Sequence, residues 1–255
     1  MSRLELPQAA LDWLVGDEPV PVLLIDPARP IIRQLLAAGH ELVCLASDPA
    51  RAAGLARVSA RDPRLLAWAA RPDELPVQPC VAQVVLLTGA LRLPPGSTAA
   101  DRRRALAQFS RALKPGGWVA GWQIARDDTV PWVRRLIRLM RSVDAHAMSG
   151  KSTDSHAELL SSKYFPRLDY HDFRLWVPIN RSDMIDLVSR QPAVAALGEH
   201  RRREVLAEAR QIFDNSASLG ELRLPYQLRC WRAHVDHHEL TTPIAFNDGA
   251  LVIPL

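Results

Sequence analysis

VLLIDPARPII, from Val22 to Ile32, begins as a buried strand and ends as the start of a helix. The run VPVLLI (20–25) is short, apolar and bounded by prolines, as a buried strand is. RPIIRQLLAAG (29–39) then spaces its apolar residues helically, with Pro30 suited to a first turn and Gly39 to a C-cap. Strand-turn-helix junctions of this kind usually carry glycines. The backbone there takes a positive φ and lets a nucleotide approach with no Cβ in the way. This junction has none. Asp26, Pro27, Ala28, Arg29 and Pro30 stand between strand and helix.

Outward from this junction the same rhythm continues. HELVCLA (40–46) reads as a second strand, and SDPARAAGLARVSA (47–60) as a helix capped by Ser47 or Asp48 with Pro49 in its first turn. VAQVVLLTG (81–89) is a strong strand, TAADRRRALAQFSRAL (98–113) a helix, KPGG (114–117) a tight turn, and WVAGWQIA (118–125) a further strand. Two later strands are expected at 169–179 and 224–235, with helices near 181–190 and 199–214 between them. The region 127–168 reads as helical and breaks at SGKSTDSH (149–156) like an insertion. Strands alternating with helices imply βαβ units around a parallel sheet. The wholly apolar strands agree, because parallel sheets are covered on both faces.

A chain of 255 residues, 48% of them hydrophobic, suits one α/β domain with a sizeable core. No run of 18 apolar residues predicts a membrane span, and MSRLELPQAALDWL lacks the pattern of a signal peptide. Cys44, Cys80 and Cys230 are odd in number and scattered, which argues against a disulfide framework and for a reducing, cytoplasmic setting. The net charge of +4 is almost entirely arginine. Arg102 to Arg104 and Arg201 to Arg203 lie in polar helical stretches, and Arg134, Arg138 and Arg141 share one helix face. These read as solvated helix faces. Nucleic acid is not an expected partner, since no aromatic-rich reading motif accompanies the charge.

Three stretches together carry a resemblance. RALKPGGWVAGWQ (111–123), RDDTVPWVRRL (126–136) and LPYQLRCWRA (224–233) resemble, in order and spacing, segments of class I S-adenosylmethionine-dependent methyltransferases of the trans-aconitate methyltransferase-like branch. The resemblance implies a doubly wound, seven-stranded, mostly parallel sheet with an antiparallel last hairpin, a Rossmann-like methyltransferase fold. That domain would span 1–236, with the helical insertion at about 127–168 and an apolar tail at 237–255.

The resemblance also implies where a cofactor would sit, and the residues there depart from the pattern. The family's glycine-rich loop offers backbone N–H groups to the methionine carboxylate. Here it is IDPARP, in which Pro27 and Pro30 lack an N–H and Arg29 adds a long side chain. The acid that accepts the ribose hydroxyls aligns with Ala46, and Asp48 lies two residues on. The adenine-contacting region keeps Asp73 and Glu74 beside Arg71 and Pro72, and Gln83 stands where many relatives have an Asp. Any ligand still held in the old cleft would meet Asp26, Ala28, Arg29, Asp48 and Asp73. Two or three missing charge-assisted hydrogen bonds, at roughly 1.5–3 kcal/mol each, weaken binding on the order of 100-fold to 10,000-fold or more. The expectation is therefore a methyltransferase-like protein with a degenerate site and no cofactor, acting through a protein partner or self-association. The alternative is an active S-adenosylmethionine-dependent enzyme on a small molecule, and a third reading has Arg29 meeting another anion.

Other groups carry less. His234, Asp236, His237, His238 and Glu239 suit a polar turn, with a metal site as the sharper alternative; the expectation is no metal. Tyr170, His171 and Asp172 read as strand packing, and Trp122 and Trp132 either as core or as lining of a residual pocket. The tail, with Ile244, Phe246, Leu251, Val252, Ile253 and Leu255, is apolar enough to need a partner surface, in cis or in trans.

Overall fold

The computed structural model describes residues 5–88, 97–145, 162–217 and 220–238. In chain order the elements are α1 (Gln8–Val15), β1 (Pro21–Ile25), α2 (Arg29–Ala37), β2 (Glu41–Ala46), α3 (Pro49–Ser59), β3 (Leu65–Ala69) and β4 (Ala82–Leu87). There follow α4 (Ala99–Ala112), β5 (Leu113–Arg126), α5 (Pro131–Val143), β6 (Arg167–Ile179), α6 (Arg181–Ser189), α7 (Pro192–Ala195), α8 (Glu199–Asp214) and β7 (Leu222–His234).

The seven strands form one sheet in the order β3-β2-β1-β4-β5-β7-β6. β1 runs parallel to β2 and β4, β2 to β3, and β4 to β5. β7 runs against β5: Val235 N donates to Gly117 O at 3.0 Å and Asp127 N to Pro225 O at 3.1 Å, so partner numbers fall on one strand as they rise on the other. This is the mostly parallel, doubly wound sheet with an antiparallel end that the sequence leads one to expect. The seven-stranded expectation leaves one strand without a place in the sequence, and β3 is that strand. Its residues, LLAWA, are short and only Leu65 is buried, so the apolar signal of the other strands is missing.

KPGG is not a free turn. β5 begins directly at Leu113, and its ladder with β4 slips between Ala82 and Val84, so Lys114 to Gly117 form an irregularity within the strand. Gly116 takes φ +76° there, and a Cβ on Gly117 would sit 2.7 Å from the Gln83 carbonyl oxygen. Two glycines are what allow the strand to bulge against its neighbour.

The chain divides into two compact units. The first comprises 1–123, 153–171 and 229–255, the second 124–152 and 172–228. The first unit's core joins Leu23, Ile25, Leu45, Val85, Phe109, Val119 and Trp231. The second unit's core joins Trp132, Leu136 and Met140 of α5 with Met184, Val205 and Phe213. Among the described residues no helix is long and apolar enough to cross a membrane.

In the first unit α1 is tied to the strands by an aromatic clamp. The Arg232 guanidinium lies 4.5 Å from the Trp13 ring centre and 5.0 Å from that of Trp118. Its Nη2 donates to Asp12 O at 3.3 Å, and Trp118 Nε1 donates to Leu14 O at 2.8 Å. Burial pushes the Arg232 pKa down, opposed by the negative charge of Asp169. A cation held between two indoles contributes on the order of 1–2 kcal/mol. Arg232→Met is therefore expected to lower unfolding free energy by about that much in urea titration; a value indistinguishable from wild type would mean the stack adds nothing to burial.

Candidate functional site

The expected cofactor cleft lies in the first unit, where β1, β2, β3 and β4 end. β1 leaves the sheet at Asp26, whose N–H still bonds the Leu45 carbonyl at 2.8 Å. Asp26 then turns to φ +47°, the left-handed region that a glycine would occupy at no cost and that Asp tolerates. Pro27 is buried, and Ala28 caps α2 in extended conformation without a side-chain acceptor. Of Asp26, Pro27, Ala28, Arg29 and Pro30, the two prolines offer no donor at all.

The oxygen atoms of Asp26 and Pro27 are engaged by the chain itself. The Asp26 carboxylate accepts from Ser47 N at 2.9 Å and Ser47 Oγ at 3.0 Å. Arg51 Nη2, from the first turn of α3, donates to the carbonyls of Asp26 and Pro27, both at 2.8 Å. Thr88 Oγ1, just beyond β4, donates to the Asp26 carbonyl at 2.8 Å. Three elements thus converge on two residues of the loop and fasten it. Arg29 is exposed and runs to α3, its Nη2 3.7 Å from the point where a Cβ on Gly54 would lie.

The remaining acids are distributed as follows. Ala46 is fully buried at the end of β2. Asp48 is the N-cap of α3, its carboxylate accepting from Ala50 N at 3.0 Å. Asp73 is 2% exposed and takes a two-pronged bond from Arg71, Nε at 2.9 Å and Nη2 at 2.7 Å. That hydrogen bonding holds the Asp73 carboxyl below the usual carboxylate range, with burial opposing it. Glu74 is exposed, with no hydrogen-bond donor among the described residues. Gln83 is away from this cleft: it sits near the start of β4 and donates through Nε2 to Gly116 O at 3.3 Å. Sequence reasoning placed Asp26, Ala28 and Asp48 here but missed Ser47, Arg51 and Thr88, which fasten the loop. The one available signal was Arg51, two residues into a helix that starts from Asp48-Pro49.

The other groups singled out lie apart. Trp122 is buried in the first unit and Trp132 in the core of the second. His234 Nε2 pairs with Asp169 Oδ2 at 3.0 Å, and His237 Nε2 with the Ser110 carbonyl at 3.1 Å. Among the described residues no three His, Cys, Asp or Glu side chains gather in a metal-binding arrangement. The His171 ring lies 5.8 Å from that of Trp13, while Tyr170 and Asp172 are exposed on β6. Among the described residues Cys44, Cys80 and Cys230 form no disulfide, and burial pushes the Cys44 thiol up to about 12, which removes it as a nucleophile. Glu239 and the apolar tail residues lie outside the described residues.

No protein-family model matches this chain, and no curated protein matches its sequence. Solved structures do match. A protein assigned as a type II methyltransferase from Anaeromyxobacter dehalogenans superposes with a TM-score of 0.64 at 19% identity, covering 91% of this chain and 97% of that one. A protein assigned as a methyltransferase from Bacillus halodurans C-125 follows at 0.49 and 12%, covering 89% and 96%. The geranyl diphosphate C-methyltransferase of Streptomyces coelicolor A3(2), solved with Mg2+, geranyl diphosphate and S-adenosyl-L-homocysteine, gives 0.44 and 12%, covering 90% and 79%. The first of these, with the strand order, shows a Rossmann-like methyltransferase fold; identities this low show the fold alone.

Proposed function

We propose that this chain is a methyltransferase-like protein whose cofactor cleft is closed by its own side chains, and that it works by binding another protein instead of transferring a methyl group. The observation that carries this reading is the fastening of the Asp26–Pro27 loop by Ser47, Arg51 and Thr88. A cofactor of the S-adenosylmethionine type asks for free loop donors and a free acid after β2. The loop here has two prolines, the β2 position is Ala46, Asp48 caps its own helix, and Asp73 is held by Arg71. These residues do not fit that cofactor. The apolar segment at 237–255 is the part of the sequence best suited to seat a partner protein.

A second reading keeps an active methyltransferase on a small molecule, of the trans-aconitate type. Asp26 favours it, because its left-handed turn preserves the backbone course that a glycine would take, and Glu74, next to Asp73 in the chain, remains an exposed acid.

Calorimetric titration with S-adenosylmethionine and S-adenosylhomocysteine separates the two, run beside a Pro27→Gly, Arg29→Gly variant. The expected result is no heat from the native protein up to millimolar ligand and weak binding regained in the variant. Micromolar binding by the native protein would overturn the closed-cleft reading and direct attention to substrates.

A further inference from the structure

α5 carries four arginines and no acid in thirteen residues. Arg134, Arg135, Arg138 and Arg141 are all exposed, and with Asp128, Pro131 and Ile137 they line a surface concavity of about 440 Å3 in the second unit. Among the described residues none of the four guanidinium groups makes a hydrogen bond or an ion pair. On the neighbouring helices several arginines are paired, whereas Arg202 and Arg210 of α8 are not, among the described residues. On α8, Arg201 meets Glu204 at 2.8 Å and Arg203 meets Glu199 at 3.5 Å. On α6, Arg190 meets Asp186 at 3.2 Å and Arg181 meets Asp214 of α8 at 2.5 Å. Within α5 itself no carboxylate stands at helical spacing to pair with them, and the one acid of the lining is Asp128, which precedes the helix.

The arrangement opposes helix stability. Arg134 and Arg138 are four apart, Arg135 and Arg138 three apart, and Arg138 and Arg141 three apart, so like charges repel along one face. Arg134 also stands at the end of the first turn, where the helix dipole disfavours a cation. An anion in the concavity would relieve both. We infer that this face of α5 is a binding site for a compact oligophosphate, gripped by Arg134, Arg138 and Arg141 with Arg135 beside them. The guanidinium fork matches phosphate oxygens two at a time. Helical rise puts Arg134 and Arg141 roughly 10 Å apart along the axis, which suits several charges on one short group. A volume of this size is within the range of small-molecule sites. The lining holds no aromatic side chain on which nucleic-acid bases would stack. It holds only Ile137 and Pro131 as apolar contacts, too little to anchor a peptide.

The site is independent of the cofactor cleft, and so is its test. Purified full-length protein is titrated calorimetrically with inorganic tripolyphosphate, ATP and citrate at low salt. Tripolyphosphate is expected to bind with micromolar affinity. Arg138→Glu should weaken it about tenfold or more and Arg134→Glu with Arg138→Glu about a hundredfold, at one or two charge-assisted bonds lost. Arg202→Glu on α8 should leave binding unchanged. Both α5 variants should unfold at the native temperature or above, since each removes repulsion, and Arg138→Gln provides a milder loss of the same contact. ATP binding tighter than tripolyphosphate identifies a nucleotide as the carrier of the phosphates, and equal binding identifies the phosphate chain alone. The inference is overturned if tripolyphosphate gives no heat at millimolar concentration or if the charge reversals leave its affinity intact. It is overturned equally if citrate binds as tightly, or if a single-stranded oligonucleotide binds more tightly at equal phosphate concentration.

Discussion

Alanine at Gly121 is expected to destabilise the protein by about 2–3 kcal/mol, a large effect for one added methyl group. Gly121 faces Leu87 on β4 on one side. On the other side it stands opposite Trp231 of β7, in the register set by Val235 with Gly117. A Cβ at Gly121 would lie 2.4 Å from Trp231 Cζ2 and 2.9 Å from Cε2. The indole is 2% exposed and packed among Phe109, Val119 and Leu113, so it has no space into which to swing. Removing the ring should cost more still, about 3–5 kcal/mol for Trp231→Ala, as transfer energy plus a cavity. The two positions should be coupled: in a Trp231→Phe background, Gly121→Ala is expected to cost at least about 1 kcal/mol less than in the native protein. Urea unfolding of the four proteins of that cycle checks it. A Gly121→Ala variant within a few tenths of a kcal/mol of wild type would mean that the ring yields easily and that the pair does not fix β7 against β5.

That pair illustrates how much of the fold the residues announce. The strands that are buried on both faces, β1, β2 and β4, show as apolar runs, and the helices declare themselves through caps. Thr98 and Asp101 form a reciprocal cap on α4, and the backbone and side-chain hydrogen bonds there draw the Asp101 pKa down to about 2. Asp48-Pro49 does the same service for α3. β3 escapes notice because only Leu65 of its five residues is buried, and edge strands owe less to hydrophobic burial. KPGG misleads for a different reason. Glycines mark a departure from regular backbone, and sequence does not say whether that departure is a turn between elements or a bulge within one.

The cleft was legible in its absences only. Missing glycines and the missing β2 acid follow from reading positions along the chain. The contacts made there reach across 21 to 62 residues, such as Asp26 with Ser47 and Thr88, and no local pattern encodes them. Asp73 is the instructive case. In the sequence it looks like a surviving acid of the cleft, with Arg71 as a disturbance to the pattern. In the structure the disturbance is the partner, and the pair is a closed unit.

That pairing gives an acid-dependent stability whose sign can be worked out. The Arg71 hydrogen bonds depress the folded-state pKa of Asp73 below its unfolded value near 4. The folded state therefore binds its proton less readily than the unfolded chain does. The stabilisation is fully present above the unfolded pKa and is lost as pH falls through the folded one. Asp62, Asp127, Asp169 and Glu204 are depressed in the same sense by their own partners, so the native protein as a whole should weaken towards acid. Asp73→Asn isolates one part of that loss. The amide keeps the shape and one acceptor but not the charge-assisted two-pronged bond, worth about 1–3 kcal/mol for a buried carboxylate. The variant is expected to be less stable by that amount from about pH 5 to pH 8, with the gap narrowing below about pH 4 as the native Asp73 takes up its proton. Urea midpoints of both proteins across this range measure it. A gap that stays constant down to pH 2 would show that the charge contributes nothing and that Asp73 is held by shape alone. A gap that widens towards acid would reverse the sign and place the folded-state pKa above the unfolded one. Arg71→Met should follow the opposite course to a simple surface change: it leaves a 2% exposed carboxylate without its donor, so the variant should gain stability relative to native as pH drops and Asp73 becomes neutral.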